Sequence, residues 1–489
     1  MVMKKLILPI TAFIILFFFF MNSCRLDQVD PLVLPDFGVG FTIESISNNG
    51  YAPATVIFNY TTTQTGLTYL WDFGDGETST MNKPTHVYNE PGMYQVELTV
   101  THAESQESKI FTQEVEIKKI ITFNKIIPNS SRRQPIQILQ NTDGTYLILT
   151  VNFDNRGIEL FFLNEEGETL KTIHINPTTT GLIGYDWLGA NEIIKTDSGY
   201  AIVGSCLNPM SQDVFLILTD KQGNLLNNTP KIYKQLVNPY GNSIIRTDDG
   251  YALLGTELKE GGAPFGLYLI LTHENGDEKN GSPKTYSEEN GNLRGNIITH
   301  TTDNDFLMIG THLNNEYERD IYFVLTDKDG IQNANSPQHL GTPENTEFPL
   351  GVVSTDSGFA LYYKSNDKMS LVFIDKYGTA ITTPHEYDGL GNERHSISKT
   401  SDNGFALIGD YEQAGSDYDI CLVLTDAQGN QTTDSPLFYG STDKERGYSV
   451  IQTQDGGLAL LGLRGNLQPT GGSTNLIFIK TDHKGTVEQ

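Results

Sequence analysis

Thr247-Asp248-Asp249-Gly250-Tyr251-Ala252-Leu253-Leu254-Gly255 is a polar turn running into an apolar strand, and it recurs along the chain. Thr196 to Gly204 and Ser401 to Gly409 are nearly the same string. Aligned on its first residue, the string starts at Thr142, Thr196, Thr247, Thr302, Thr355, Ser401 and Gln454, roughly fifty residues apart. Its aromatic place holds Tyr146, Tyr200, Tyr251, Phe306, Phe359 and Phe405, with Leu458 in the last copy. A closing glycine stands at Gly204, Gly255, Gly310, Gly409 and Gly462, where it relieves crowding.

Other runs keep step with this one. A short apolar run precedes each copy, as in Ser243-Ile244-Ile245. A second follows, as in Leu267 to Leu271, and ends in a turn with an Asp and a Gly, such as Asp220 and Gly223. A fourth element reads Pro230-Lys231-Ile232-Tyr233, Pro283-Lys284-Thr285-Tyr286, Pro384-His385-Glu386-Tyr387 and Pro436-Leu437-Phe438-Tyr439. Four short strands per unit of this length predict a β-propeller blade. The seventh unit lacks its fourth run, and Phe123-Asn124-Lys125-Ile126-Ile127, ahead of the first unit, can supply it. Such a pairing closes the ring and removes exposed sheet edges. The expectation for residues 120–489 is a seven-bladed β-propeller closed by an N-terminal strand, with six or eight blades or an open solenoid as alternatives. The units resemble the Asp-Gly-Gly-Tyr-type propeller repeats of exported bacterial proteins. That resemblance implies a fold and no particular function.

Residues 38–119 alternate with period two in short runs, which predicts a β-sandwich. Within them stand Tyr69-Leu70-Trp71-Asp72-Phe73-Gly74-Asp75-Gly76, then Pro84-Thr85-His86-Val87-Tyr88, then Pro91-Gly92-Met93-Tyr94. In order and spacing these resemble the PKD domain, which implies an immunoglobulin-like sandwich serving as a spacer or binding module. Trp71 and Phe73 flank Asp72 and so face one side. Gly74-Asp75-Gly76 supplies a tight turn. Asp72 and Asp75 are expected to bond that turn's backbone rather than hold calcium, and His86 to be packed or solvated.

The N-terminus carries two lysines in Met1 to Lys5, an apolar run from Leu6 to Met21, and then Asn22-Ser23-Cys24. This predicts a secretory signal over 1–23. Cys24 resembles the acylated cysteine of the bacterial lipobox, which implies fatty acylation (palmitate or a similar chain) and a membrane anchor. An uncleaved signal anchor is the alternative. Residues 24–37 read as an extended tether. With Arg25 after the cysteine and no Asp there, the outer membrane is the preferred location.

Composition limits the function. Among 489 residues, 60 are acidic and 33 basic, a formal charge of −27, which argues against a nucleic-acid partner. Cys206 and Cys421 lie in apolar runs of different units and are expected to be core thiols. The histidines show no metal-ligand spacing along the chain, and no nucleophile or phosphate-loop motif is present, so no metal, cofactor or catalytic residue is expected. The repeated turn aspartates could be calcium ligands, but a feature of every unit is more simply the fold's own requirement.

Specificity belongs in the non-repeating loops. Tyr185 and Trp187 are the candidate ligand-binding residues, able to stack on a sugar if exposed or to fill a gap between blades if buried. Gly261 to Phe265 and Asn314 to Tyr317 are weaker loop candidates. The expected function is a lipid-anchored envelope protein whose propeller binds a protein or glycan partner, with the PKD-like domain as spacer. A polysaccharide-active hydrolase or lyase, needing a carboxylate pair, and a structural envelope component are the alternatives.

Overall fold

The computed structural model describes residues 38 and 40–488, apart from 129–130, 228, 235, 258–265, 288–291, 314–318, 343–344, 367, 388–390, 414–416 and 466–473. The signal segment, Cys24, the tether and the loop candidates 261–265 and 314–317 lie outside the described residues. The chain is all-β and divides into two compact units, the larger made of Ile117 onward with the short segments Ser47–Ala54 and Tyr88–Gly92.

The smaller unit is a two-sheet sandwich. Thr42–Ile46, Ala54–Asn59 and Thr85–Tyr88 form one sheet, and Thr78–Ser79, Leu67–Asp72, Gly92–His102 and Ser108–Ile117 form the other. Trp71 and Phe73 point into the core and are buried with Phe58 and Tyr88. The Trp71 ring lies 4.9 Å from Phe41 and 5.5 Å from Phe58, and its Nε1–H donates to the Met81 carbonyl at 2.7 Å. Asp72 and Asp75 accept the backbone N–H of Gly74 and Glu77 at 2.9 and 3.1 Å, a turn-holding role. His86 stacks on Phe73 with ring centroids 4.1 Å apart and bonds Asp75 at 2.7 Å. Gly74 has φ +81°, and a side chain there would meet the Gln95 backbone.

In the larger unit the described residues form seven four-stranded antiparallel sheets, six of them in sequence order from first to fourth strand and the seventh completed by an earlier strand. They cover 133–175, 187–233, 240–286, 292–340, 347–387, 391–439, and 445–481 joined by Phe123–Ile127. In the last, Ile127 pairs with Leu476 and Phe123 with Lys480. The recurring string is the turn and second strand of each sheet. Its strand is buried on both faces because apolar clusters join successive sheets. Leu254 and Leu269 of the third sheet pack with Phe306 and Val324 of the fourth. Ile138 and Tyr146 of the first pack with Leu461 and Phe478 of the seventh. Cys206 and Cys421 are buried free thiols within two such clusters.

Polar groups tie the sheets together at the outer edge as well. The tyrosine ending each Pro-x-x-Tyr element donates to a turn-glycine carbonyl of the following sheet. Tyr233 reaches Gly276, Tyr286 reaches Gly330, and Tyr387 reaches Gly429, at 2.7 to 2.8 Å. The turn aspartates act within their own turns. Asp220 Oδ1 accepts from the backbone of Gln222 and Asn224, and Asp327, Asp375, Asp426 and Asp482 repeat the pattern. The Asn224 amide helps hold the Asp220 carboxyl below its ordinary pKa.

Candidate binding face

The inner strands decide what lies at the centre. Paired with its second strand, each inner strand shows a register shift, such as that between Ala190 and Glu192 or between Gly241 and Ser243. A bulge leaves one residue unpaired and re-aims its side chain. In six of the sheets a single residue is skipped: Ile136, Asn191, Asn242, Asn296, Leu350 and Tyr448. They line a cavity of about 430 Å³ to which all seven inner strands contribute. Asn191 donates to the Gly241 carbonyl at 2.7 Å.

In the first three sheets the residue after the bulge ties one sheet to the next. Gln137 accepts the Ile193 N–H at 3.0 Å. Glu192 accepts the Ile244 N–H and the Ser243 hydroxyl, both at 2.7 Å. Ser243 in turn accepts the Ile298 N–H at 3.2 Å. A second tier lies one strand outward, where Ser205, Thr256 and Asp410 accept the N–H of Gly241, Gly295 and Gly447. Burial lifts the carboxyls of both Glu192 and Asp410 to a pKa of about 7, against the pull of these hydrogen bonds. Glu192 is the one carboxylate among the described residues lining the cavity, and its contacts serve the fold.

Because strand order alternates, the connections from second to third strand and from outer to next inner strand emerge at the same end of the sheets. In the first three sheets these connections expose large apolar side chains. Ile183 is 97% exposed, Met210 95%, Tyr240 46% and Phe153 41%. Loop tips are normally polar, so these side chains stand out from the connections that carry them. Only their flanking turn residues, Gly181 and Gly184 around Ile183 and Asn208-Pro209 before Met210, could have announced them in the sequence.

Tyr185 and Trp187 lie at this end but are engaged. The Tyr185 hydroxyl donates to Asp213 Oδ2 at 2.5 Å, and Lys234 sits 5.6 Å from its ring centroid. Trp187 is half-buried and packs onto the apolar cluster between the first two sheets. Its ring lies over Gly189, where an added Cβ would come 2.0 Å from it. Its ring therefore takes part in the packing between these sheets while remaining partly open to solvent.

Comparison with known proteins agrees with this division. Residues 42–118 match the PKD domain family. The chain is 43% identical over 72 residues to the collagenase ColA of Bacillus cereus, and 58% identical over 38 residues to a microbial collagenase of Vibrio alginolyticus. These matches span 12% and 8% of this chain and only 8% and 5% of the collagenases. Among solved structures, it is similar to the BP39L lectin of Burkholderia pseudomallei, with a TM-score of 0.45 and 12% identity, over 71% of this chain and 98% of the lectin. It is also similar to a Dos1 propeller, with a TM-score of 0.38 and 10% identity, over 72% of this chain and 95% of that one. The chain thus carries a PKD domain followed by an all-β region of four-stranded sheets.

Proposed function

We propose that this chain is an exported, lipid-anchored envelope protein in which a seven-bladed propeller binds a protein or glycan partner and the PKD domain is the spacer. The observation that carries the binding reading is the set of exposed apolar tips on one face, Ile183, Met210, Tyr240 and Phe153. Apolar and aromatic groups with few cations suit a neutral partner better than an acidic polymer. Hydrolysis of a glycan would call for two placed carboxylates, whereas the described lining of the central cavity offers Glu192 alone.

The full-length chain applied to a glycan array should bind a restricted set of sugars, and Met210→Ser combined with Tyr240→Ala should abolish that binding. Equal binding by the variant would refute this face. No glycan binding at all would leave only the protein-partner branch. Labelled palmitate should enter the wild-type chain and not Cys24→Ala, and label retained in the variant would remove the anchor.

A further inference from the structure

A cluster in the fourth sheet has no equivalent elsewhere among the described sheets. Its second strand, Phe306–Leu313, sets His312 opposite Asp320 of the third strand, Arg319–Thr326. The outer strand, Gln338–Leu340, sets His339 opposite Tyr322. Opposed residues share a face, and so do residues two apart on a strand. His312, Asp320, Tyr322 and His339 therefore share one face. The His312 and His339 ring centroids are 5.4 Å apart, and one ligand atom from each of His312, Asp320 and His339 lies within 4.8 Å of the others.

The sixth sheet shows what this frame does without ligand chemistry. There Tyr411 opposes Asp419, and Phe438 takes the outer place opposite Cys421. The Tyr411 and Phe438 rings pack with centroids 4.7 Å apart, an ordinary apolar contact. In both sheets a glycine leaves room beside the carboxylate. A Cβ on Gly341 would come 2.2 Å from Asp320 Oδ1, and one on Gly440 would come 1.7 Å from Asp419 Oδ1. The fourth sheet thus keeps the frame and its carboxylate but replaces two packing aromatics by two imidazoles. Packing alone does not call for that exchange.

We propose that His312, Asp320 and His339 bind a divalent transition-metal ion of the zinc class, with a remaining coordination position open to water. Two imidazole nitrogens and one carboxylate oxygen suit zinc or cobalt, whereas calcium and magnesium demand oxygen-rich shells. Donors about 2.1 Å from a tetrahedral ion stand about 3.4 Å apart. His339 is exposed, and on this proposal its side chain turns to bring the donors to that spacing. Asp320 and His312 are fixed by neighbouring strands, so the site is largely formed before the ion arrives.

The test is titration of the full-length chain with cobalt(II), read by visible absorption and competed with zinc. One equivalent should bind with the intense bands of a low-coordinate site. His339→Ala should lose those bands, Asp320→Asn should weaken binding by roughly tenfold or more, and His174→Ala should leave it unchanged. His339 is exposed, so its variant should melt at the wild-type temperature without metal. Absence of a cobalt spectrum in the folded wild type, or the same spectrum in His339→Ala, would overturn the proposal. Either result leaves the partner-binding face untouched, since that face rests on other loops.

Discussion

Glu192 makes the stability of the sheet array depend on pH in a direction opposite to most carboxylates. Its folded pKa is about 7 because burial disfavours the anion, and its ordinary value is 4.5. Between those values the folded chain holds a proton that the unfolded chain has released. The stabilisation is therefore complete below pH 4.5 and is lost as pH rises through 7. Each pKa unit is worth about 1.4 kcal/mol, so the charged form costs up to about 3 kcal/mol above pH 8. Glu192→Gln keeps an oxygen to accept from Ile244 and Ser243 and cannot ionise. Urea unfolding should give nearly equal stabilities for the two proteins at pH 4.5, with the variant ahead by about 2–3 kcal/mol at pH 8.5. Asp410 shifts with the same sign, but it is common to both proteins and cancels in the difference. Parallel stability curves across that range would refute the argument, as would a variant that falls behind as pH rises.

Two further substitutions test the repeat itself. Gly255→Ala puts a methyl 1.9 Å from the Tyr240 carbonyl oxygen, and thermal melting should show a loss of about 2–3 kcal/mol; an unchanged melt would mean that the closing glycine is not needed for space. Asp220→Ala removes the acceptor for two turn N–H groups and should cost about 1–2 kcal/mol. Asp220→Asn should recover most of it, and added calcium should change neither; rescue by calcium instead would identify the turns as ion sites.

The strands and their turns were legible in the sequence because local chemistry repeats there. A Gly that must accept close backbone, a buried aromatic and an Asp that closes a turn each leave their mark in a single segment. The closing glycines show this directly. Gly204 meets the Gly189 carbonyl and Gly310 the Arg294 carbonyl, so a demand made by the neighbouring strand is written in one residue. The bulges left no such mark. Whether Asn242 is paired or skipped depends on its register with the second strand, which residue type alone does not specify. The histidine cluster was hidden for the same reason: a ladder, not a motif, brings His339 to His312. Trp187 is rare in the sequence, but a lone tryptophan serves packing as readily as binding, and here its ring covers Gly189. The exposed tips Ile183 and Met210 leave no such mark, since single apolar residues between turns carry no period.

The strand Phe123–Ile127 gives the molecule an unusual order of assembly. Every other outer strand pairs with the strand just before it, across a short connection. This one joins Leu476, about 350 positions away in the chain. Relative to a twenty-residue connection, closing so long a loop costs about 2.5 kcal/mol more in chain entropy. That cost applies to pairing from the open chain; once the sheets between are formed and packed on one another the partners are already held near, so the seventh sheet is expected to gain its edge last. The ring then behaves like a belt whose buckle is fastened last. Its opening and closing, rather than the melting of any one sheet, should set how slowly the whole array folds.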